Sequence, residues 1–380
     1  MAVIRREGFW LLRRAVFWVQ KWCVRLLYRS SNQYGGASLQ NRDLCEFMAT
    51  GPLVPSGLRI ASRNNLLFFA RRIEHLFGGT SMVRVNFAVP NGFVLFNPSI
   101  HRHGNRMLVC VRAADFRLDV YQTMQYADAR RRIVNHSFLA EVDDDLRLKS
   151  ISEIPTPWFE PEDAASLGFE DARLFTLRGE LHLMANSRNR TKTCSIFTAR
   201  IAGTDAAPVL ENVRAHPYSA PKRDEKNWMP VDAAAEMRAV YFPCPTIIID
   251  CDTEIARHDP PLALEQLRGG SQLVAWQGGF LALVHEYAHA ALRRHYLHRF
   301  AAFDSDLRMI ALTEAFVFFG HPVEFAAGLC WHTDNKRLVA SFGVNEEEAW
   351  LVTLDAASVS ARLRRLPEMG PARQPAAPPT

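Results

Sequence analysis

The chain has 380 residues, of which 48% are apolar and 22% charged. That composition is ordinary for a soluble globular protein, and the length allows one large core or two ordinary ones. Residues 1–30 carry seven Lys/Arg and one acid, so the formal net charge of +5 resides there and the remainder is close to neutral. A nucleic-acid binder would spread basic charge over its folded domain, so no nucleic-acid partner is expected.

The first predicted element is a helix within residues 1–30. Phe9, Leu12, Val16, Val19, Cys23 and Leu26 follow three-and-four spacing, and Arg6, Arg14, Lys21, Arg25 and Arg29 favour the other side. Its longest uncharged run, Ala15–Gln20, is too short to span a bilayer. Charges interrupt the apolar stretch and no small-residue cleavage site follows, which argues against a secretory signal. The helix can lie on an anionic membrane surface or pack its aromatics on the main domain; a cleaved targeting peptide is the third reading. A second helix is predicted from Ser62 through Leu66, Phe69, Ile73 and Leu76, stopped by Gly78 and Gly79.

From about Val83 the pattern changes to short strands of period two with Gly, Asp or Asn turns. One motif recurs five times: an apolar strand, a tight polar turn, and a second apolar strand ending in a polar residue. The copies start at Asn97, Arg173, Val231, Gln272 and Gly328. Copies about 40 to 75 residues apart predict an all-β fold, a five-bladed β-propeller. LAEVDDDLRLKSI (139–151) and HRFAAFDSDLRMIAL (298–312) echo each other as outer strands of two blades. A strand at Trp350–Leu354 and a short helix near Ala356–Leu366 close the chain. The expected organisation is a helical segment over 1–80, a propeller over 83–366, and a disordered Pro/Ala-rich tail over 367–380. Seven scattered cysteines, never in CxxC spacing, read as free thiols in a reducing, cytoplasmic compartment; Cys244 and Cys251 are the pair that could bridge.

A propeller gathers one loop from each blade at an axial mouth, so the polar oddities at the repeats become candidates. Glu170 and Asp171 precede Arg173 at a strand start; alternation sends one carboxylate to the mouth and ties the other to Arg173. Lys226-Asn227-Trp228 has the make-up of a sugar or phosphate contact. Arg268-Gly269-Gly270 can present a guanidinium and backbone N–H groups to an anion. His285-Glu286-Tyr287-Ala288-His289 is a formal HExxH, with His295 six residues on. Zinc binding would need a helix placing His285 and His289 on one face. The Gly278-Gly279 turn and the apolar run Phe280–Val284 instead predict a hairpin ending at His285, followed by a connecting loop. Tyr296, His298 and Phe300 share one face of the next strand. Glu324 and Asn345-Glu346-Glu347-Glu348 complete the polar set, with two of the three consecutive glutamates read as a solvated turn.

In chain order, FNPSI, VRA, GFEDARL, EKNWMP, RGGSQLV, LVHE, YLHRF, VEFAAGL and SFGVNEEEAW resemble the five-bladed propeller of the glycoside hydrolase family 130 type. That family holds β-mannoside phosphorylases and related glycosyltransferases, and the resemblance covers about Phe93 to Asp355. The family has Glu-Asp-Pro-Arg where this chain has Glu170-Asp171-Ala172-Arg173, which implies Asp171 as the catalytic acid. Asn97 and Arg112 fall where the family contacts the sugar, with Glu170, Arg173, Asn227, Glu324 and Glu346 as further substrate contacts. Lys226, His285 and Tyr296 fall where it holds sugar and phosphate, with Arg268 as a further phosphate contact. Glu346 stands where the family has Asp.

The implied chemistry suits these residue types. An inverting phosphorylase needs one carboxylic acid for the leaving oxygen, and phosphate is its own nucleophile. A glycosyltransferase can use the same floor, with the cationic cluster on a leaving diphosphate and Asp171 as base. The basic aromatic N-terminus suits work on surface glycans at the inner face of a membrane and favours transfer. The expectation is an inverting glycosyl-transferring enzyme acting on mannose-type glycosides, with a sugar nucleotide or inorganic phosphate as co-substrate and no resident cofactor or metal. The alternatives are a phosphorylase or glycosidase, a glycan- or protein-binding propeller without activity, and a zinc hydrolase on His285, Glu286 and His289.

Overall fold

The computed structural model describes residues 70–119, 122–127, 131–156, 166–188, 194–204, 207–216, 225–250, 252–259, 264, 267–290 and 293–366. The expected helix in 1–30, most of the second helix, and the tail over 367–380 lie outside these residues. Among the described residues no helix is long and apolar enough to cross a membrane.

The fold is an all-β propeller. Five sheets of four or more strands follow one another along the chain, with one two-stranded ribbon, Phe116–Leu118 and Met124–Tyr126. The first sheet holds Val94–His103, Arg106–Ala114, Ile133–Val142 and Leu148–Ile154; the second holds Glu170–Leu177, Glu180–Arg188, Cys194–Ala202 and Val209–Ala215. The third holds Met229–Pro230, Ala239–Pro243, Thr246–Ile249 and Glu254–His258. The fourth is built on the long hairpin Gly279–Ala290 and Arg293–Phe303. The fifth holds Glu324–Trp331, Arg337–Val344, Glu348–Asp355 and, as its outer strand, Ser81–Val85.

Apolar clusters fill the space between successive sheets, which is how each amphipathic sheet buries its faces. Leu108 and Leu139 of the first sheet meet Leu174 and Leu183 of the second. Phe175 and Met184 of the second meet Ile247 and Ile249 of the third. Val240 and Ile248 meet Val284 and Phe303 of the fourth; Leu281 and Phe300 meet Leu338 and Phe342 of the fifth. Val339 and Leu351 then meet Val109 and Val111 of the first, closing the ring. The first strands of the sheets crowd one another at the centre. A Cβ on Gly328 of the fifth sheet would lie 2.3 Å from the Ile100 backbone nitrogen of the first. The Gln272 side-chain amide spans this centre, donating to Ile100 O at 2.8 Å and Leu329 O at 2.7 Å.

The echo between 139–151 and 298–312 is a shared turn. Asp143 and Asp304 each receive a turn N–H at 3.0 Å on the backbone carbonyl, from Leu146 and Leu307. Each also accepts two downstream N–H groups on its carboxylate. Leu146 and Leu307 both take left-handed backbone, at φ 61 and 62.

Two expectations change. Where the second predicted helix falls within the described residues, Arg71–Arg72 form a short strand and Ile73–His75 a single 3-10 turn. Parallel pairing of Arg71 and Arg72 with Phe316 and Val317 draws the chain onto the fourth sheet, and Ile73, Leu76 and Phe77 bury there. The closing helix ends at Arg362, because Arg364 and Arg365 pair with Leu312 and Ala311.

Candidate active site

The first strands of the first and second sheets start with bulges. The ladder slips between Phe96 and Ser99, and again between Glu170 and Arg173. A bulge breaks the alternation and re-aims the side chains within it. Asn97 and Asp171, inside the two bulges, take left-handed backbone at φ 45 and 49; Asn227 at 61 and Glu346 at 56 do the same. Four candidate residues share this costly conformation at one end of the ring, as strained functional sites do.

The bulges bring the predicted residues together. Asn97 Nδ2 donates to Asp171 Oδ1 at 2.9 Å, and Arg112 Nη1 donates to the same oxygen at 2.9 Å. Arg112 is itself fixed by Nε donating to Asn135 Oδ1 at 2.8 Å, and it lies over the Phe96 ring at 4.8 Å. Burial by itself would raise the Asp171 carboxyl; Arg112, Lys226, Arg173 and the Asn97 amide outweigh it and hold it down to about 2. Asp171 is therefore a carboxylate at neutral pH.

Glu170 points elsewhere. Its buried carboxylate is ringed by Arg188 Nε at 3.3 Å, Arg112 Nη2 at 3.8 Å and Lys226 Nζ at 3.8 Å, with Asn186 Nδ2 at 3.3 Å. The expected tie from one of these carboxylates to Arg173 is not formed. Arg173 donates instead to Asp171 O at 2.6 Å, Gly270 O at 2.9 Å and Asn227 Oδ1 at 3.0 Å. The bulge turns the Asp171 carbonyl, and not a carboxylate, toward it.

The fourth sheet supplies the rest. Gly269 is required where its strand passes Asn227, since a Cβ there would lie 2.0 Å from Asn227 O. That approach sets Arg268 beside the site, stacked on Phe242 at 4.5 Å and donating to Leu267 O at 2.9 Å. The HEYAH string lies within the strand Gly279–Ala290, so it forms neither the helix that zinc binding needs nor the expected loop. His285 packs on Tyr296 at 5.3 Å and Phe325 at 5.4 Å, whereas Glu286 faces the other way and pairs with Arg299 at 3.0 Å. Burial, followed by His298, Arg173, Arg268 and Arg294, holds His285 neutral.

Glu346 belongs to the same field. Burial pushes its carboxyl up to about 7, helped by Asp171 and Glu170 and opposed by Arg112 and Lys226. Glu324 does different work: its carboxylate accepts from the backbone N–H of Phe318 at 2.7 Å, and of Phe319 and His321 at 2.8 Å. Those three bonds anchor the loop Phe318–His321.

Asn135, Asn186 and Arg188 were not singled out by the sequence. The signal available was a polar residue in an otherwise apolar strand, which is weak because it also marks ordinary sheet edges. A second polar cluster lies at the opposite end of the same strands. His101 Nε2 and Thr176 Oγ1 are 2.8 Å apart, and Asp232 Oδ1 is 3.7 Å from His101. Burial lowers His101 to about 3, so its ring is neutral, and raises Asp232 only to about 6, so it stays mainly a carboxylate at neutral pH, accepting the Thr176 N–H at 2.8 Å.

No family model matches the sequence, and no curated protein does. Solved structures do match. A β-1,2-mannobiose phosphorylase from Listeria innocua aligns at 13% identity and a TM-score of 0.51, over 74% of this chain and 99% of that one. A mannose phosphorylase from Leishmania mexicana aligns at 14% and 0.48, over 78% and 93%. A GDP-Man-dependent mannosyltransferase from the same organism aligns at 11% and 0.45, over 72% and 89%. The first of these likenesses shows the shared propeller fold.

Proposed function

We propose that the chain is a carbohydrate-active enzyme that transfers a mannose-type glycosyl group with inversion, in surface-glycan synthesis, and that its five larger sheets are the blades. One observation carries the reading: Asp171 is held as a carboxylate between Arg112 and Asn97, in a bulge that opens onto the cationic groups of the mouth. A carboxylate that stays ionised at neutral pH can accept a proton; at about 2 Asp171 is a weak base, so the proton moves to it late, as the hydroxyl bonds to the anomeric carbon. An acceptor hydroxyl oxygen bonds to the anomeric carbon as the bond from that carbon to the leaving phosphate oxygen breaks. The electron pair departs with the phosphate, and the hydroxyl proton passes to Asp171. Lys226, Arg268, His285 and Tyr296 take the phosphate charge, His285 as a neutral N–H donor. Asn97, Arg112, Arg173, Asn227 and Glu346 border the sugar, with Glu170 holding Arg112 and Lys226 in place.

Phosphorolysis is the second reading. Glu346 favours it, because a carboxyl pushed up to about 7 can carry the proton that a leaving oxygen needs. The propeller shared with a β-1,2-mannobiose phosphorylase is compatible with both. A donor screen with sugar 1-phosphates and sugar nucleotides separates them. Turnover of a sugar nucleotide, lost in Asp171→Asn, is expected. Turnover of mannose 1-phosphate alone would assign phosphorolysis, and turnover of neither class would overturn the proposal.

A further inference from the structure

An arch joins the first sheet to the fourth. The ribbon Phe116–Leu118 and Met124–Tyr126 rises beside the first sheet, and the long hairpin of the fourth sheet meets it. Gln122 Nε2 donates to the Arg294 carbonyl at 2.9 Å, and the Arg294 N–H donates back to Gln122 Oε1 at 3.1 Å. This side-chain amide caps the hairpin as a backbone partner would. Gln122 takes left-handed backbone at φ 62 to do so.

The hairpin is a ladder of paired groups. His285 lies opposite His298, and Tyr287 lies opposite Tyr296; opposed residues share a face of the sheet. Exposure rises along it, from His298 at 1% and His285 at 4% to Tyr287 at 39%. Arg294 follows Tyr296 by alternation and is exposed. Its guanidinium sits 5.2 Å from the Tyr296 ring and 5.9 Å from the Tyr287 ring. Among the described residues no carboxylate pairs with it. Its charge nevertheless reaches down the ladder, acting with Arg173 and Arg268 on His285.

A guanidinium pinned over two phenols, clasped at its backbone and without a counter-ion among the described residues, is preorganised for an anion. Lys226, Arg268, His285 and Tyr296 already provide for one phosphate group lower in the mouth. This step rests on that reading of the mouth. We propose that Arg294 receives a second phosphoryl group, so that the site takes a diphosphate ester, with Gln122 as its positioning residue. The substrate class is then a nucleoside diphosphate sugar. The phosphate ester to the anomeric carbon lies in the lower cradle, and the distal phosphate and nucleoside lie at the rim beside the exposed Tyr287. Inorganic phosphate would fill the lower cradle alone.

Calorimetric titration of the full chain with orthophosphate, pyrophosphate, GDP and UDP tests this. Diphosphates are expected to bind more tightly than orthophosphate. Arg294→Gln should weaken the diphosphates about tenfold or more, the loss of a charge-assisted pair, and weaken orthophosphate by clearly less, about threefold at most, because Arg294 acts on the lower cradle only from the exposed end of the ladder. Arg294→Lys should recover part of the loss, and Gln122→Ala should reproduce a smaller one with the same selectivity. Equal loss for both ligand classes, or none for the diphosphates, would overturn the assignment. Wild-type protein that binds orthophosphate but no diphosphate would also overturn it, while leaving phosphorolysis standing. Wild-type protein that binds neither would remove the anion reading of the mouth as well.

Discussion

Asp171 and Glu346 share one electrostatic field and are driven in opposite directions by it. Asp171 touches Arg112 and Asn97 directly, so its charge is compensated at 2.9 Å. Glu346 feels Arg112 and Lys226 as well, but burial and the neighbouring carboxylates dominate. Separated values of this kind assign proton roles. Replacing Asp171 with Asn keeps the shape and the Asn97 and Arg112 neighbours while removing the proposed base. Turnover should fall about a hundredfold or more, with an unchanged far-UV spectrum; a variant retaining wild-type turnover would remove Asp171 from the mechanism. The pH dependence of stability separates the two groups. Asp171, depressed from 3.8 to about 2, contributes stability present above its unfolded value and lost as pH falls from about 4 towards 2. Glu346, raised from 4.5 to about 7, contributes stability present below its unfolded value and lost as pH rises through about 7. Glu346→Gln should therefore gain stability over wild type at pH 8, by about 1 kcal/mol once the full shift is discounted for the half-buried side chain, and gain less at pH 5. Urea midpoints at the two pH values measure this, and an equal change at both would contradict it.

Elements were legible where a local pattern sufficed. The Asp-Leu-Arg echo marks two turns that share their hydrogen bonds and the left-handed leucine, because an aspartate bonding its own downstream N–H groups is a local event. The candidate residues of the mouth could be named because strand starts and polar strings recur with the repeat. Their orientation could not, since a bulge shifts alternation by one residue and the pairing partner decides where it falls. The Gln122–Arg294 clasp was equally hidden, as its two residues lie 172 apart in sequence. The segment Ile73–Phe77 shows tertiary context overriding a helical pattern. Its apolar spacing reads as an amphipathic helix, but Phe77 fits edge-on between Phe300 at 5.3 Å and Phe316 at 5.4 Å, and Ile73 is fully buried there. The segment is a plug in the fourth sheet. Phe77→Ala should cost about 3–5 kcal/mol through the cavity it leaves, read as a lower urea midpoint. A loss below about 1 kcal/mol would mean that this segment contributes little to the core.

At the scale of the whole molecule the ring is closed by strands from both ends of the described chain. Ser81–Val85 pairs antiparallel with Glu348–Asp355, from Ser81 opposite Thr353 to Val85 opposite Ala349. Asp355 N–H also donates to Gly78 O at 2.8 Å, and Arg362 reaches the Leu76 carbonyl. Pairing of an early strand with a late one covers the Glu348–Asp355 edge and ties both ends of the described chain into one sheet, with Ser81–Val85 as its outer edge. It also separates two parts of the N-terminal region. Residues 1–30 carry a basic aromatic pattern that we propose binds an anionic membrane surface in preference to packing on the propeller, whereas residues 70–85 belong to the propeller. Deleting 1–30 should leave the melting temperature within about 2 °C and abolish co-sedimentation with phosphatidylserine vesicles. Deleting 1–86 should expose the Glu348–Asp355 edge together with the apolar surface beneath Ile73 and Phe77, giving aggregation or a melting temperature lower by about 10 °C or more. Vesicle binding that survives the shorter deletion would place membrane affinity elsewhere. A longer deletion that melts like the full chain would show that Ser81–Val85 does not close the ring.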